Sequence, residues 1–160
     1  MSGTRTVTVV LVVLAALMGL ALAWLVGMRD KGSAVVRAQR RLNRDHMNPR
    51  VQGEAGTAGS STALVRHTGR SSGRTYETPV DAVPTPDGFV VSMVYGRDTD
   101  WVRNVLAGGP AAVIRDGTTH PVLASDVVPV DDVTDVFTAA QRRLMRVFGI
   151  SEALRIRTAS

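Results

Sequence analysis

The sequence predicts a mainly antiparallel β domain of the α+β class, a small barrel or sandwich, carried behind one N-terminal transmembrane helix. Three observations lead there: an uncharged apolar run near the start, short strand-like segments separated by Gly- and Pro-marked turns after Ser61, and helical patterns set among and after those strands. A chain of 160 residues has room for one domain of ordinary size. Hydrophobic residues at 44% and charged residues at 21% exclude wholesale disorder and a polytopic membrane protein. The lack of cysteine removes disulfides, thiolate metal sites, cysteine nucleophiles and iron–sulfur clusters. Three histidines, His46, His67 and His120, are too few for a multi-histidine cage, so no metal is expected.

The elements follow in order. Thr6 to Met28 carries no charge and, at about 1.5 Å per residue, is long enough to cross a hydrocarbon core of roughly 30 Å. Trp24 suits an interfacial aromatic. Behind it, Arg29, Lys31, Arg37, Arg40, Arg41, Arg44 and Arg50 face only Asp30 and Asp45. This block holds nearly all of the net charge of +5, whereas residues 51–160 are close to balance. Positive charge after the span places the C-terminal part in the cytoplasm, as a single-pass protein of the plasma membrane, and its position speaks for a membrane partner and against nucleic acid. The rival is a secretory signal peptide ending at Ala21-Leu22-Ala23, disfavoured because the apolar run continues past it and the basic cluster follows the run. Ser33 to Met47 reads as a basic amphipathic helix, either resting on anionic headgroups or merely opening the domain, and Asn48-Pro49 should end it. The resulting division is an anchor at 1–30, a basic helix at 31–50, a polar linker at 51–61 and a folded domain at 62–160.

Strands are expected at Ala63–His67, Tyr76–Val83, Gly88–Met93, Ala111–Arg115 and Thr119–Ser125, too closely spaced for parallel crossovers. A short helix from Asp100 to Ala107 has Thr99 as N-cap and Gly108-Gly109 as stop. A second helix is expected from Asp132 to Phe148, with an apolar stripe that covers one opening or side of the barrel.

The segment His67-Thr68-Gly69-Arg70-Ser71-Ser72-Gly73-Arg74 is the most unusual. Glycines free backbone N–H groups, hydroxyls add donors, and guanidinium forks match phosphate or carboxylate oxygens, so the turn suits an anion, or else is an ordinary solvated connection. It is not a Walker A loop, because three residues separate its glycines and Arg74 stands in place of lysine. A second cluster runs from Ser92, Met93, Val94 and Tyr95 into Trp101 and Asn104; Trp101 either lines an aromatic ligand or belongs to the core. Ser71 and Ser72 lie near His67, but no acidic partner completes a hydrolytic triad. A binding site without evident catalysts fits chemistry carried by a cofactor.

The turn His67–Arg74, then Thr78-Pro79-Val80, then Tyr95-Gly96-Arg97-Asp98-Thr99-Asp100-Trp101-Val102-Arg103-Asn104-Val105-Leu106-Ala107 together resemble the deazaflavin-dependent nitroreductase family, also described as quinone reductases that use reduced coenzyme F420. The likeness covers about Asn48 to Pro129. It implies a split β-barrel of the FMN-binding-like type with a C-terminal helix. It also implies that Arg70, Ser71 and Ser72 hold the phosphate and acidic tail of the deazaflavin, with Arg74 adding positive potential. Tyr76, Thr78, Pro79 and Val80 would run beside the ring system, and Ser92 to Tyr95 with Asp100 to Asn104 would close over it. No side chain is implied as a catalyst; acceptor contacts fall to Tyr95, Trp101 and apolar residues of the last helix. Ser71 stands where many relatives carry a second basic residue, and no tyrosine follows Tyr95, so nitroimidazole reduction is not expected.

The function so implied is a membrane-anchored oxidoreductase that passes hydride from F420, with FMN the second choice of cofactor, to an apolar acceptor such as menaquinone. A homodimer through barrel edges is compatible with the fold. The alternatives are a non-catalytic barrel that carries a flavin, tetrapyrrole or fatty acyl chain, and a basic membrane-surface adaptor that docks a protein.

Overall fold

The computed structural model describes residues 2–42 and 53–159, with side chains from Val13 onward. Seven antiparallel strands, β1 (Ala63–Thr68), β2 (Thr75–Val80), β3 (Ala82–Thr85), β4 (Gly88–Ser92), β5 (Ala111–Arg115), β6 (Thr118–Pro129) and β7 (Glu152–Thr158), form one sheet in the order β2-β1-β5-β6-β7-β4-β3. Its two edges, β2 and β3, are consecutive in the chain, with Asp81 alone between them. Laid flat, seven strands would set the edges about 29 Å apart, at about 4.8 Å per pairing. One intervening residue spans at most about 7 Å. The sheet therefore curls until its edges meet at Asp81 and splay apart beyond it, which makes a barrel with a split side.

The interior holds Val65, Phe89, Val91, Val113, Leu154 and Ile156, with Val102 and Val105 of helix α3 (Asp100–Leu106) packed in from one end. A second apolar layer lies outside the sheet, where Val90 and Ala153 meet Val133, Phe137, Met145 and Ile150. Strands β4 and β7 thus bury both faces: alternate side chains of Phe89-Val90-Val91 point into the barrel and into the outer layer.

Several expectations are corrected. The run Tyr76–Val83 is two strands, because the chain leaves one sheet edge and joins the other at Asp81. Strand β6 extends to Pro129, pairing β5 with its first part and β7 with the rest; a bulge between Val122 and Ala124 bends it around the corner and leaves Leu123 exposed. Strand β7 was not expected at all, although Leu154-Arg155-Ile156-Arg157 alternates apolar and charged. The single helix Asp132–Phe148 is replaced by a 3-10 helix, Val130–Val136, and helix α4 (Ala139–Val147). Phe137 is extended between them, and Thr138 with Gln141 forms a capping box that starts the second helix anew.

Helix α1 (Ser2–Arg29) is 28 residues long, and helix α2 (Ala34–Leu42) follows at a bend of 91°. Among the described residues no single helix is long and apolar enough to cross a membrane; Val13–Arg29 and Ala34–Leu42 reach that measure only as a bent pair. Residues 43–47 of the expected basic helix, its Asn48-Pro49 stop and the start of the linker lie outside the described residues. Ser33 caps α2 by accepting from Val36 N at 3.1 Å while its hydroxyl donates to Gly27 O at 2.5 Å. A side chain at Gly27 would strike Val35, so glycine is what lets the elbow close. The base of α1 is fastened to the end of α4: Arg29 donates to the carbonyls of Arg146 and Val147 at 3.2 and 3.0 Å, and Lys31 to that of Phe148 at 2.9 Å. Two cations thus satisfy terminal carbonyls at the negative end of a helix, and Trp24 meets Phe148 edge to face at 6.0 Å.

Leu154 is fully buried on β7, an interior strand between β4 and β6. Leu154→Ala is expected to cost about 2–5 kcal/mol, read as a lowered denaturation midpoint of the purified chain. A loss under about 1 kcal/mol would mean that the interior is not the packed core described.

Candidate functional site

Along the β2 edge the structure opens into a cleft of about 1210 Å³. Its walls are β2 from Thr75 to Val80, the end of β4 with Met93 to Gly96, the start of α3, the β1–β2 loop and the arginine face of α2. The volume exceeds the roughly 300–1,000 Å³ of an ordinary ligand pocket, enough for a large ligand or two molecules side by side.

The β1–β2 loop is pinned from both ends. Gly69 N donates to Arg74 O and Gly73 N to Gly69 O, each at 2.8 Å, and Gly73 takes φ +65°, a conformation open to glycine without strain. A side chain at Gly69 would strike Ser72 Oγ and the Tyr76 ring. From across the cleft, Asn104 Oδ1 accepts from Arg70 N at 3.1 Å and from Arg70 Nη1 at 2.9 Å, and Arg70 Nη2 pairs with Asp100 Oδ1 at 3.2 Å. Asp100 and Asn104 sit one turn apart on α3, so a single helical face grips the loop.

That grip fixes a tautomer. Arg70 offers only donors, so Asn104 must present its oxygen to it and its Nδ2 to His67 Nδ1, 3.1 Å away. His67 Nδ1 is then an acceptor, its proton lies on Nε2, and Nε2 donates to Thr78 Oγ1 at 3.1 Å. Burial pushes the His67 pKa below 6.5, with the Asp100 charge pulling weakly the other way. Tyr76 stacks over the imidazole at 5.9 Å, and its hydroxyl meets Ser72 Oγ at 3.1 Å.

Of the residues singled out in the sequence, Arg70, Ser71, Ser72, Tyr76, Thr78, Pro79 and Val80 line the cleft, as do Ser92, Met93, Val94, Tyr95, Trp101 and Asn104. Arg74 is not among the residues that line it. Asn104 lies 6% exposed with both ends of its amide engaged by Arg70 and His67. Trp101 is partly buried against the barrel core while also reaching the cleft.

Two features escaped the sequence reading. His67, weighed there only as a hydrolytic base, is the buried support beneath Asn104. The arginines of α2, assigned to headgroups or solvent, include three, Arg37, Arg40 and Arg41, on the cleft wall. Val36 and Met28 are buried under α2, and Arg40 Nη2 donates to Tyr95 O. Gly96 accommodates this seat, its missing side chain leaving space for Lys31. The amphipathic pattern signalled a docked helix but not which surface receives it. Among the described residues no three His, Asp or Glu side chains converge to hold a metal ion.

A family model described as F420H(2)-dependent quinone reductase matches residues 37–147, a span that begins within α2 and ends with α4. Comparison with curated proteins gives no match. Among solved structures, the crystal structure of Atu2129, a protein of unknown function from Agrobacterium tumefaciens str. C58, is 18% identical with a TM-score of 0.43, over 74% of this chain and 57% of that one. The chain therefore spans little more than half the length of that protein.

The lowered pKa keeps His67 neutral in the native chain where an unfolded one binds a proton. Native stability is then complete above about pH 6.5 and falls as the pH drops below it, because protons bind the unfolded state first. A protonated Nδ1 would also oppose the Asn104 amide and turn its NH2 toward Arg70. Thermal melts between pH 7 and 5 should show this loss in the wild type and a smaller one in His67→Asn; equal slopes would refute the neutral assignment.

Proposed function

The chain belongs to the F420H(2)-dependent quinone reductase family, oxidoreductases whose reductant is reduced coenzyme F420, and on that premise we propose that it is a membrane-anchored enzyme passing hydride from F420H2 to a quinone, with menaquinone the leading acceptor. The observation that carries this reading is the cleft itself: one end bears a guanidinium held in place by Asn104 and Asp100, and its lining also includes the apolar Pro79 and Val80 of the β2 edge with Met93, Val94 and Trp101.

The residues present fit such a cofactor. Backbone N–H groups, Ser71, Ser72 and Arg70 suit its phosphate, and the close approach left open at Gly69 brings loop and Tyr76 together into a cradle that a Cβ would fill. Thr78, Pro79 and Val80 present a flat strand face for a ring, opposite Met93, Val94 and Trp101. When bound, the reduced deazaflavin supplies the hydride. The side chains contribute placement: β2 fixes the face, Trp101 and Tyr95 flank the space left for an acceptor, and the walls displace water from it. The size of the cleft favours cofactor and acceptor lying together in it.

The anchor is α1. Leu14, Leu17, Met18, Leu20, Leu22 and Val26 are each more than half exposed. So much apolar surface has no place in water on a helix standing off the domain. Basic residues after it set the barrel on the cytoplasmic side of the plasma membrane. An anchored site samples a lipid-dissolved acceptor at raised effective concentration, which a soluble substrate would not need. A homodimer through sheet edges has β2 and β3 to use, and β2 borders the cleft.

Mixing the detergent-solubilised chain with F420H2 and a short-chain menaquinone should regenerate the oxidised deazaflavin chromophore. A ligand shift without oxidation would identify a carrier instead. Arg70→Ala should weaken F420 binding about tenfold or more, the loss of a charge-assisted contact; unchanged affinity would remove the loop from the site.

A further inference from the structure

The ion pairs around the cleft leave its positive charge in an unexpected place. Arg70 is paired with Asp100, Glu77 with Arg66 at 2.9 Å, and Asp98 with Arg103 at 2.6 Å. The loop end is therefore nearly neutral in sum, and Arg74 lies off the lining. On α2 the bonding is different: Arg37 donates to Gly32 O and Arg40 to Tyr95 O, carbonyl partners that hold a guanidinium without cancelling its charge. The carboxylate that acts on Arg40 through space is Asp98, which is already paired with Arg103. Among the described residues no carboxylate lies within ion-pair distance of Arg37, Arg40 or Arg41. Arg40 is partly buried, its Nε without a hydrogen-bond partner. Arg37, Arg40 and Arg41, spaced i, i+3 and i+4, share one helical face, and that face is a wall of the cleft.

We propose that Arg37, Arg40 and Arg41 form a second anion-binding wall, which takes the carboxylates of the cofactor's glutamyl tail, separately from the phosphate at the β1–β2 loop. The inference rests on the reading of the cleft as the F420 site. A monoanion needs only Arg70 and its neighbouring N–H groups. A chain of carboxylates needs several uncompensated cations in a row, and α2 is where this cleft has them. The headgroup role expected of these arginines is the competing use, and the geometry disfavours it because Arg40 is turned into the protein against Tyr95.

The test titrates the full chain, in uncharged detergent, with F420 bearing a single glutamate and with a long-tailed form, following deazaflavin fluorescence. The wild type should hold the long form about fivefold more tightly, a gap that narrows with salt. Arg37→Gln with Arg41→Gln should close the gap while affinity for the single-glutamate form stays within about twofold, and the Lys pair should restore most of it. Equal affinity of the wild type for both forms, or a gap that survives the Gln pair, overturns the wall and leaves the cofactor reading standing. Failure of the wild type to bind either form overturns both. A Gln pair that keeps the gap but loses partition onto vesicles of anionic phospholipid returns the arginines to the membrane surface and overturns the wall.

Discussion

A single residue governs the architecture. Because Asp81 alone joins the two edge strands, the seven-stranded sheet has no flat solution, and because β2 and β3 run on from one another without pairing, it has no closed one either. The split is thus a covalent necessity, not a defect of packing. Open strand edges ordinarily invite pairing with other chains. Here the cleft lies along one of them, and α2 stands over its mouth.

Within that split, rigidity comes from an amide placed between a cation and a neutral imidazole. Asn104 has one accepting end for Arg70 and one donating end for His67, and no other side chain of its size satisfies both at once. An aspartate would leave Nδ1 of His67 facing an acceptor; a leucine would strand the buried His67 Nδ1 at a cost of about 1–3 kcal/mol and release Arg70. The loop that bears Arg70 is consequently held before any ligand arrives, which lowers the ordering cost of binding.

Local patterns were legible and long-range ones were not. Strands β1 and β5 and helix α3 follow from alternation, Thr99 and Gly108 to within a residue, and the cleft motifs lie within short contiguous segments. The role of Asp81 was hidden because Tyr76–Val83 reads as one uninterrupted strand, and which edges a strand joins is a property of the whole sheet. Strand β7 and the Thr138-Ala139-Ala140-Gln141 box carried readable local signals that the strength of the surrounding helical pattern masked. The destination of Arg37, Arg40 and Arg41 depends on how α2 packs across the barrel, which no spacing within α2 encodes.

The elbow at Gly27 differs from a flexible leash in the freedom it removes. With α1 fastened to the end of α4 by Arg29, Lys31 and Trp24, and α2 lying across at nearly a right angle, the barrel does not turn independently of the first helix. Under the anchoring proposed above, what survives is spin about the membrane normal. A nine-residue α2 reaches about 13 Å sideways, so the mouth of the cleft would patrol a narrow ring around its own mooring, always at one height above the lipid.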